Sequence, residues 1–321
     1  MALVDALHAR ARIRSLVRRT PLVDSSWLSD AAGGSVALKL ESLQVSNSFK
    51  IRGAFNAVLS RRERHGSLGE LVTASAGNHG RGLAAAAKAV GASLVVFTPN
   101  DAPRAKLDAI RRHGAALRAE APDYDSAERM AQEYARSTGA SFVSPYNDLD
   151  VIAGAATVAL ELFDDAVDLG TIVVPIGGGG LISGVAETAK AIDPRCRVIG
   201  VEVAASCPFQ TSIRAGRLVP IVPGATLADG LVGNPDPETI TFSMIQRWVD
   251  DIVTVSEDEL ARAMAGLAEA EHLIVEGAGA VGVAAVASGR IDVRGGRTAI
   301  VISGGNIDRE RFAAVLSGAT A

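Results

Sequence analysis

The sequence has few cysteines, few aromatic residues and no long apolar run. Its two cysteines, Cys196 and Cys207, fit neither a disulfide framework nor the spacing of metal ligands, so both are expected to pack inside a protein of a reducing compartment. No apolar run approaches the ~18 to 20 residues of a membrane-spanning helix, and the charged N-terminal segment lacks the apolar core of a signal peptide. We therefore expect a cytoplasmic protein that has no membrane partner.

The charge and composition also argue against nucleic-acid binding. The 321 residues carry 32 basic and 36 acidic side chains, a formal net charge of -4, and aromatic residues make up only 4%. Because no basic patch with interleaved aromatic residues occurs, no nucleic-acid partner is expected. With 48% apolar and 21% charged residues, the chain has the balance of a globular protein with a substantial core, which favours small-molecule chemistry.

Short apolar strands and amphipathic helices alternate along most of the chain, which predicts an α/β fold with parallel sheets. The N-terminal part predicts a helix over 4–17, a strand over 36–40 and a helix over 51–64. The next run predicts strands over 71–74, 94–97 and 115–118 and helices over 79–90, 103–113 and 123–138. A last run predicts strands over 171–175, 197–203, 252–255 and 298–302 and helices over 151–163, 181–192, 256–272 and 278–287.

Two parallel sheets fit this pattern better than one, because turn-rich segments at 65–69 and 144–148 separate the runs. We predict two parallel-sheet α/β domains, the smaller inserted into the larger. The small domain is expected over residues 69–147, and the large domain is expected to combine residues 1–68 with 148–321.

Lys50 lies among small and apolar residues at the start of a predicted helix. A lysine that loses water has a lowered pKa, and the positive end of a helix adds to that effect. A neutral amine of this kind can act as a nucleophile, a Schiff-base former or a base. Taken alone, the stretch fits an ordinary solvated lysine as well, since most lysines are surface charges.

Four consecutive glycines, Gly177 to Gly180, join a predicted strand to a predicted helix. Such a loop exposes backbone amides at a positive helix N-terminus, which is a common way to bind phosphate. A tight turn is the alternative, but four glycines cost more chain entropy than a turn requires. A dinucleotide site is also considered because Glu202 ends the next strand, yet Ile182 stands where the third glycine of G-x-G-x-x-G belongs. A single phosphate is the better prediction.

Two more polar loops follow strands and so are expected at the same edge of a parallel sheet, where ligands bind. In the loop over 75–80, Ser75, Asn78 and backbone amides could bind a carboxylate or a ring oxygen, whereas His79 is expected to be structural. In the loop over 303–306, Ser303 offers a neutral hydroxyl, although a serine after a strand often only caps the chain. One lysine, one phosphate loop, one hydroxyl and one carboxylate site together indicate pyridoxal 5'-phosphate chemistry.

The motifs that carry this chemistry resemble those of the serine/threonine dehydratase family, pyridoxal-phosphate enzymes of the tryptophan-synthase β fold type (fold type II). They occur in the family's order and spacing, over nearly the whole chain from about residue 5 to 315: Ser48-Phe49-Lys50-x-Arg52-Gly53-Ala54, Ser75-Ala76-Gly77-Asn78-His79, Gly177 to Gly180, Ala228-Asp229-Gly230 and Ser303-Gly304-Gly305-Asn306. Each motif is weak by itself, and the joint match is specific.

The resemblance implies a role for each matching residue. Lys50 is expected to be the catalytic residue, which holds the cofactor as a Schiff base and removes the α-proton of the substrate. The expected cofactor contacts are Phe49, Lys50, Asn78, Gly177, Gly178, Gly179, Gly180, Leu181, Gly230, Glu276 and Ser303. The expected contacts to the substrate carboxylate are Ser75, Ala76, Gly77, Asn78 and His79.

The reaction that the resemblance implies is the conversion of an L-β-hydroxy amino acid, such as threonine or serine, to a 2-oxo acid and ammonia through an aminoacrylate. Because a hydroxyl partner does not keep the pyridine nitrogen protonated, elimination is favoured over reprotonation. The alternatives are a specialised substrate (3-hydroxyaspartate, phenylserine or an ectoine-degradation compound), racemisation, a β-replacement of the cysteine-synthase kind, or a cofactor-binding protein without catalysis. A homodimer or homotetramer is expected.

Several positions depart from the family pattern. Asn47 stands where the family usually has glycine, and Glu276-Gly277-Ala278-Gly279-Ala280 replaces the commoner Glu-Pro-x-x-Ala. Members activated by magnesium or calcium pair a glutamate with an aspartate six residues later, but Pro208 follows Glu202 here, so no metal is expected. Ala76 stands where members that racemise serine have a serine, which predicts elimination. Because the chain ends at Ala321, we expect neither a regulatory domain nor inhibition by isoleucine.

Overall fold

A computed structural model describes residues 2–318, whose strands and helices we number in chain order. The strands are β1 (Leu22–Asp24), β2 (Val36–Lys39), β3 (Leu71–Ala74), β4 (Leu94–Pro99), β5 (Ala116–Ala121), β6 (Ser141–Phe142), β7 (Leu169–Pro175), β8 (Arg197–Val203), β9 (Asp251–Val255) and β10 (Arg297–Val301). The helices are α1 (Leu3–Ile13), α2 (Ser26–Ala32), α3 (Lys50–His65), α4 (Asn78–Val90), α5 (Arg104–Arg111), α6 (Tyr124–Thr138), α7 (Leu149–Asp165), α8 (Gly180–Ile192), α9 (Pro208–Ala215), α10 (Thr241–Trp248), α11 (Glu257–Ala270), α12 (Gly277–Ala287) and α13 (Arg309–Leu316), with short 3-10 turns at Glu41–Leu43 and Asp229–Leu231.

The larger sheet has six strands in the order β1-β2-β10-β7-β8-β9, and every pair is parallel except the edge pair β1 and β2. Its central strands are buried on both faces, since Val173 packs with one apolar cluster and Ile172 and Val174 pack with the other. This two-sided burial explains why these strands read as continuous runs of valine and isoleucine. In this order β8 and β9 lie on one side of β7, and β10 lies on the other side. The loops that follow β7 and β10 therefore leave from neighbouring strands.

The smaller sheet has four parallel strands in the order β5-β4-β3-β6. Its order reverses at β3, whose carboxyl end leads into the loop before α4. Open α/β sheets bind ligands at the strand where the order reverses. Both sheets therefore present a polar loop of the sequence at the position where a ligand is expected.

The predicted class, an α/β fold with two parallel sheets, is confirmed, and most predicted elements lie within a few residues of the observed ones. The antiparallel strand β1, the two-residue strand β6 and the helices α2, α9, α10 and α13 are not predicted. These short elements depend on tertiary contacts: the amides at the start of α9 donate to the buried Glu202 carboxylate at 3.0 and 2.8 Å. Among residues 2–318, no helix has both the length and the apolar character needed to span a membrane.

The domain boundaries at residues 69 and 147 stay a prediction. The strands themselves divide in the same way, because the smaller sheet uses only the chain from Leu71 to Phe142. The larger sheet takes its strands from the segments before and after that stretch.

Candidate active site

Lys50 is the first residue of α3, and glycines let other helices approach this end of α3 closely. A Cβ atom at Gly53 would lie 2.7 Å from the carbonyl oxygen of Val151, and one at Gly154 would lie 2.5 Å from the carbonyl oxygen of Arg52. The backbones of α3 and α7 therefore touch where they cross. Such contacts fix the start of α3 in the protein interior.

A buried group of charged side chains lies directly behind Lys50. The guanidinium of Arg52 donates two hydrogen bonds of 2.8 Å to Glu41 and bonds of 2.7 and 2.9 Å to Glu161. Lys39 donates a bond of 2.7 Å to the same Glu161 carboxylate. All four side chains are at most 9% exposed. Since each charge has an opposite partner, the group is tolerated in the interior and ties α3 to β2 and α7.

The amine of Lys50 is held away from bulk water. Its Nζ atom donates a 2.8 Å hydrogen bond to the carbonyl oxygen of Pro145 and lies 5.1 Å from the centroid of the Phe49 ring. Burial lowers the pKa of Lys50 to about 8. A sizeable fraction of the amine is therefore neutral near physiological pH, as predicted for a nucleophile or base.

The loop that precedes Lys50 is bound to the loop after β10. The backbone amide of Phe49 donates to the carbonyl oxygen of Ser303 at 3.0 Å, and the amide of Gly305 donates to the carbonyl oxygen of Asn47 at 2.9 Å. Within residues 2–318, the buried Ser303 hydroxyl has only a long contact of 3.4 Å to the carbonyl oxygen of Ala278. A hydroxyl with so weak a bond is available for another partner. The structure thus brings the loops of Lys50 and Ser303 together.

The tetraglycine loop, Gly177 to Gly180, begins at the end of β7 and forms the N-terminus of α8. Within residues 2–318, the backbone amides of its first three residues donate no hydrogen bond. Because unpaired amides at a helix N-terminus attract anions, the loop has the donors that a phosphate requires. Leu181 buries its side chain in the core, so only its backbone faces the loop.

Packing also requires glycine in this loop, which the sequence did not indicate. A Cβ atom at Gly178 would overlap the ring of Tyr146, and one at Gly180 would lie 2.9 Å from the Cα atom of Tyr146. Gly179 has a φ of 86°, in the left-handed region that favours glycine. The hydroxyl of Thr241 donates to the carbonyl oxygen of Gly178 at 2.9 Å and anchors the loop from the other side.

The segment over residues 144–147 connects the lysine to the tetraglycine loop. Pro145 accepts the bond from Lys50, the ring of Tyr146 packs on Gly178, and the Tyr146 hydroxyl accepts a 2.9 Å bond from the amide of Asp236. Sequence reasoning treated this segment as a linker and missed it. A signal existed, since a buried tyrosine in a turn-rich segment is unusual in a chain with only three tyrosines.

Asn78 and Glu276 meet next to the Ser303 loop. The Nδ2 atom of Asn78 donates a 2.7 Å hydrogen bond to Glu276, and the amide of Glu276 donates to the carbonyl oxygen of Gly304 at 3.2 Å. Burial raises the pKa of Glu276 to about 7, although the bond from Asn78 opposes the change. A Cβ atom at Gly304 would overlap the Glu276 carboxylate, so glycine is required there.

The loop over residues 75–79 leads into the N-terminus of α4, where the first amides of a helix have no partner inside the helix. Ser75 accepts a 3.2 Å bond from the amide of Gly77, and Ala76 is half-buried. His79 is buried with its Nε2 atom 3.2 Å from the carbonyl oxygen of Val143, and burial lowers its pKa to about 3. The imidazole is therefore neutral, and its buried Nδ1 atom has no hydrogen-bond partner within residues 2–318.

Two other predicted residues have clear surroundings. Gly230 lies in the 3-10 turn beside the tetraglycine loop, and a Cβ atom at Gly177 would be 3.3 Å from the carbonyl oxygen of Gly230.

The buried Glu202 carboxylate accepts hydrogen bonds from the amides of Phe209 and Gln210, near the start of α9. The prediction that the enzyme needs no metal is not tested by this contact and stays a prediction.

Comparison with known proteins places this arrangement in a family. The model of the family described as "Pyridoxal-phosphate dependent enzyme" matches residues 13–304. The chain belongs to the pyridoxal-phosphate dependent enzyme family. It is 43% identical over 308 residues to an L-threonine ammonia-lyase of Thermotoga maritima, covering 96% of this chain and 76% of that protein. It is 35% identical over 317 residues to the catabolic L-threonine dehydratase TdcB of Escherichia coli, covering 98% and 96%.

Solved structures of the same family have closely similar folds. The T.th. threonine deaminase has a TM-score of 0.89 and 35% identity, with 96% of this chain and 99% of that chain covered. Maize serine racemase has a TM-score of 0.92 and 32% identity, with 99% and 97% covered. The predicted membership of the serine/threonine dehydratase group is thereby confirmed, and the family's cofactor is pyridoxal phosphate.

The residues of this pyridoxal-phosphate enzyme fit the cofactor of its family. A phosphate needs several donors, and the amides of Gly177, Gly178 and Gly179 are free within residues 2–318. An aldehyde needs a neutral amine, and the pKa of Lys50 is lowered to about 8 by burial. The segment over residues 144–147 connects the Lys50 amine to the glycine amides. The protein therefore brings together the amine and the anion-binding loop that the cofactor would need.

The backbone at Asn47 explains one departure from the family and gives a first prediction. Asn47 has a φ of 57°, a conformation that glycine and asparagine adopt at low cost. Asn47→Gly should therefore leave the free energy of unfolding nearly unchanged, whereas Asn47→Ala should lower it by ~1 kcal/mol. Urea unfolding of the cofactor-free proteins measures both, and equal stability of the alanine and glycine variants would contradict the explanation.

Proposed function

We propose that this pyridoxal-phosphate enzyme is an ammonia-lyase (dehydratase) that converts an L-β-hydroxy amino acid, threonine or serine, to a 2-oxo acid and ammonia. The observation that carries the proposal is the partly neutral amine of Lys50, linked through Pro145 and Tyr146 to a loop of free amides. The relatives named L-threonine ammonia-lyase and threonine dehydratase support the substrate class.

Lys50 and the N-terminus of α8 would have different roles in this reaction. Bound pyridoxal phosphate would supply an electron sink, which weakens the bond between the substrate Cα atom and its proton; the electron pair of that bond then expels the hydroxyl group from the β-carbon. Lys50 would hold the cofactor and, once free, take the Cα proton on its amine. The N-terminus of α8 would bind the phosphate through Gly177 to Gly180 and Leu181.

The other loops would orient the two molecules. Ser303 would offer its hydroxyl to the pyridine nitrogen and Asn78 its amide to the ring oxygen. Phe49, Gly230 and Glu276 would line the ring. The start of α4 would bind the substrate carboxylate through Ser75, Ala76, Gly77, Asn78 and the amide of His79, since a helix N-terminus favours a negative charge.

One assay tests the proposed function. Release of 2-oxo acid and ammonia is measured from serine, threonine, 3-hydroxyaspartate and phenylserine with the pyridoxal-phosphate-loaded protein. We expect threonine or serine to be the best substrate. Turnover of only 3-hydroxyaspartate or phenylserine would assign a specialised dehydratase, and absence of 2-oxo acid from all four would refute the lyase.

Racemisation is the second candidate, because solved relatives named serine racemase and aspartate racemase have 32% identity and TM-scores of 0.92 and 0.90. Inversion requires a proton donor on the face of the substrate opposite Lys50. The half-buried Ala76 has no exchangeable proton, and the neighbouring Ser75 hydroxyl accepts a 3.2 Å bond from the Gly77 amide within its own loop. This arrangement favours elimination.

We therefore predict that the unmutated protein forms 2-oxo acid from L-serine with little D-serine, and that Ala76→Ser raises D-serine formation about tenfold or more. Ala76→Gly is the control, since it changes the same position without adding a hydroxyl. Chiral chromatography of the reaction mixture measures both products. D-serine that accumulates as fast as 2-oxo acid in the unmutated protein would contradict the role of Ala76.

We also propose that the protein assembles as a homodimer or homotetramer, acts in the cytoplasm and has its domain boundaries at residues 69 and 147. The division of strands between the two sheets supports the boundaries. Light scattering measures the assembly, and limited proteolysis near residues 65–69 and 144–148 tests the division.

A further inference from the structure

Asn78 is the residue whose orientation matters most in the proposed site, because its two amide atoms have opposite hydrogen-bonding roles. Its Nδ2 atom carries two hydrogens, one of which goes to Glu276, and the other has no acceptor within residues 2–318. Its Oδ1 atom accepts a 2.7 Å bond from the Nδ2 atom of Asn306. In this orientation Asn78 offers a donor to a ligand, and after a flip of the amide it would offer an acceptor.

Asn306 itself has only one possible orientation. Its Oδ1 atom accepts a 2.6 Å hydrogen bond from the guanidinium of Arg81, which can only donate. Its Nδ2 atom donates at 2.9 Å to the carbonyl oxygen of Ser46, which can only accept. Both partners therefore fix the same orientation of the Asn306 amide, and its remaining hydrogen must point to Asn78.

Glu276 does not fix Asn78 in the same way. Burial raises the pKa of Glu276 to about 7, so near neutrality the carboxyl carries a proton part of the time. An ionised carboxylate can only accept, but a protonated carboxyl can also donate to an Asn78 oxygen. The charged groups that face Glu276 are Asp229, Lys106 and Arg81, and they have opposing effects on its proton.

We infer that Asn306 is a positioning residue, which holds the amide of Asn78 so that its nitrogen faces the cofactor ring. Arg81 and the Ser46 carbonyl hold Asn306, and Asn306 holds Asn78. The inference rests on the proposed function, since it presumes that Asn78 binds the ring oxygen of the cofactor. It gives a role to Asn306 and Arg81, which the proposed function leaves without one.

Asn306→Asp is the informative variant, because it keeps the shape of the side chain and replaces the atom that donates to Asn78 and to the Ser46 carbonyl with an acceptor. The new carboxylate can still accept from Arg81. Asn78 should then turn its nitrogen toward position 306 and its oxygen toward the cofactor. We expect pyridoxal phosphate to bind about tenfold more weakly, the effect of losing one hydrogen bond to a charged group. The visible absorbance band of the bound cofactor should also decrease.

The pH dependence separates this role from a general loss of structure. In the Asn306→Asp protein, the flipped Asn78 is best satisfied when Glu276 is protonated and donates to the Asn78 oxygen. The ratio of mutant to unmutated dissociation constants for pyridoxal phosphate should therefore increase as the pH falls through about 7. A variant that is merely unfolded in part would have a low melting temperature without this trend.

Asn100→Asp is the matched control. Asn100 is exposed after β4, and within residues 2–318 its side chain makes no hydrogen bond to Asn306 or Asn78, so the same change adds the same charge without touching the pair. The experiment measures the dissociation constant of pyridoxal phosphate, its absorbance spectrum and the melting temperature of the cofactor-free protein. The proteins compared are unmutated, Asn306→Asp, Asn100→Asp, Asn78→Ala and the double variant Asn78→Ala/Asn306→Asp.

If Asn306 acts through Asn78, the double variant should bind the cofactor no more weakly than Asn78→Ala alone, and Asn100→Asp should match the unmutated protein. Additive losses, or unchanged binding by Asn306→Asp, would overturn the inference. Unchanged binding by Asn78→Ala would instead show that the proposed role of Asn78 is wrong. The inference about Asn306 would then also be wrong, because it depends on that role.

A second pair of variants covers the case in which Asn306→Asp does not fold. Arg81→Met should weaken cofactor binding by a smaller factor, because the Ser46 carbonyl still orients Asn306. Arg81→Lys should recover part of the loss, since lysine is also only a donor. Binding by Arg81→Met that equals the unmutated protein, or no recovery by Arg81→Lys, would count against the inference.

Discussion

Lys50→Ala is expected to lower the proposed ammonia-lyase activity by roughly 10²- to 10⁴-fold, the scale of general acid–base catalysis, and to abolish covalent attachment of pyridoxal phosphate. The reason is that the Lys50 amine is linked through Pro145 and Tyr146 to the tetraglycine loop, and burial lowers its pKa to about 8. Reduction with borohydride, followed by peptide mapping, locates any covalently attached cofactor. Turnover is measured in the same preparations.

The control for this prediction is Lys88→Ala, which removes an exposed lysine of α4 and should leave both readouts unchanged. In the unmutated protein, attachment should become faster as the pH rises through about 8, because the neutral form of Lys50 is the nucleophile. Cofactor that is trapped on another lysine in Lys50→Ala would show that Lys50 is assigned wrongly.

Arg52→Met is expected to lower the free energy of unfolding by ~3 to 5 kcal/mol, the cost of leaving a buried charge without its partner. Glu41 is fully buried and receives two of its hydrogen bonds from Arg52. Glu161 would also lose its bonds from Arg52 and, within residues 2–318, would keep only the bond from Lys39. Denaturant unfolding of the cofactor-free protein measures the loss.

Arg10→Met is the matched control, because Arg10 pairs with Asp164 where both side chains are about 40% exposed. Exposed pairs contribute only ~0 to 1 kcal/mol, so this variant should be nearly as stable as the unmutated protein. An equal loss in both variants would contradict the importance of the buried group. Arg52→Met combined with Glu41→Gln should recover part of the stability, since it removes the unpaired charge.

The pH adds a further check on Arg52. Burial opposes the ionisation of Glu41, but Arg52 holds the pKa of that carboxyl below its usual value of 4.5. A carboxyl group whose pKa is lower in the folded state stabilises the protein at pH values above its pKa in the unfolded state. This stabilisation is lost as the pH falls through the pKa of the folded state. The difference in stability between the unmutated protein and Arg52→Met should therefore shrink on acidification below about 4.5.

The sequence by itself determined the fold class, because buried parallel strands appear as short apolar runs and their helices appear as amphipathic segments. It also identified Lys50, the tetraglycine loop and Ser303, because each combines an unusual residue with the end of a strand or the start of a helix. Each of these signals depends only on neighbouring residues, so it can be recognised in a sequence window of about ten residues. The sequence did not predict β1 and α9. The strand β1 forms through its pairing with β2, and the start of α9 is bound by the Glu202 carboxylate.

Only the tertiary structure decided which groups meet. Lys50 donates to Pro145, 95 residues away, and Asn306 donates to Asn78 across 228 residues. The contact of Tyr146 with Gly178 likewise joins a predicted linker to the tetraglycine loop. No periodicity encodes such pairs, because side chains far apart in sequence become neighbours only when the strand order of each sheet is set. The sequence therefore predicted which residues are candidates for the site, whereas the packing of the two sheets and their loops determined their hydrogen-bond partners and the burial that shifts their pKa values.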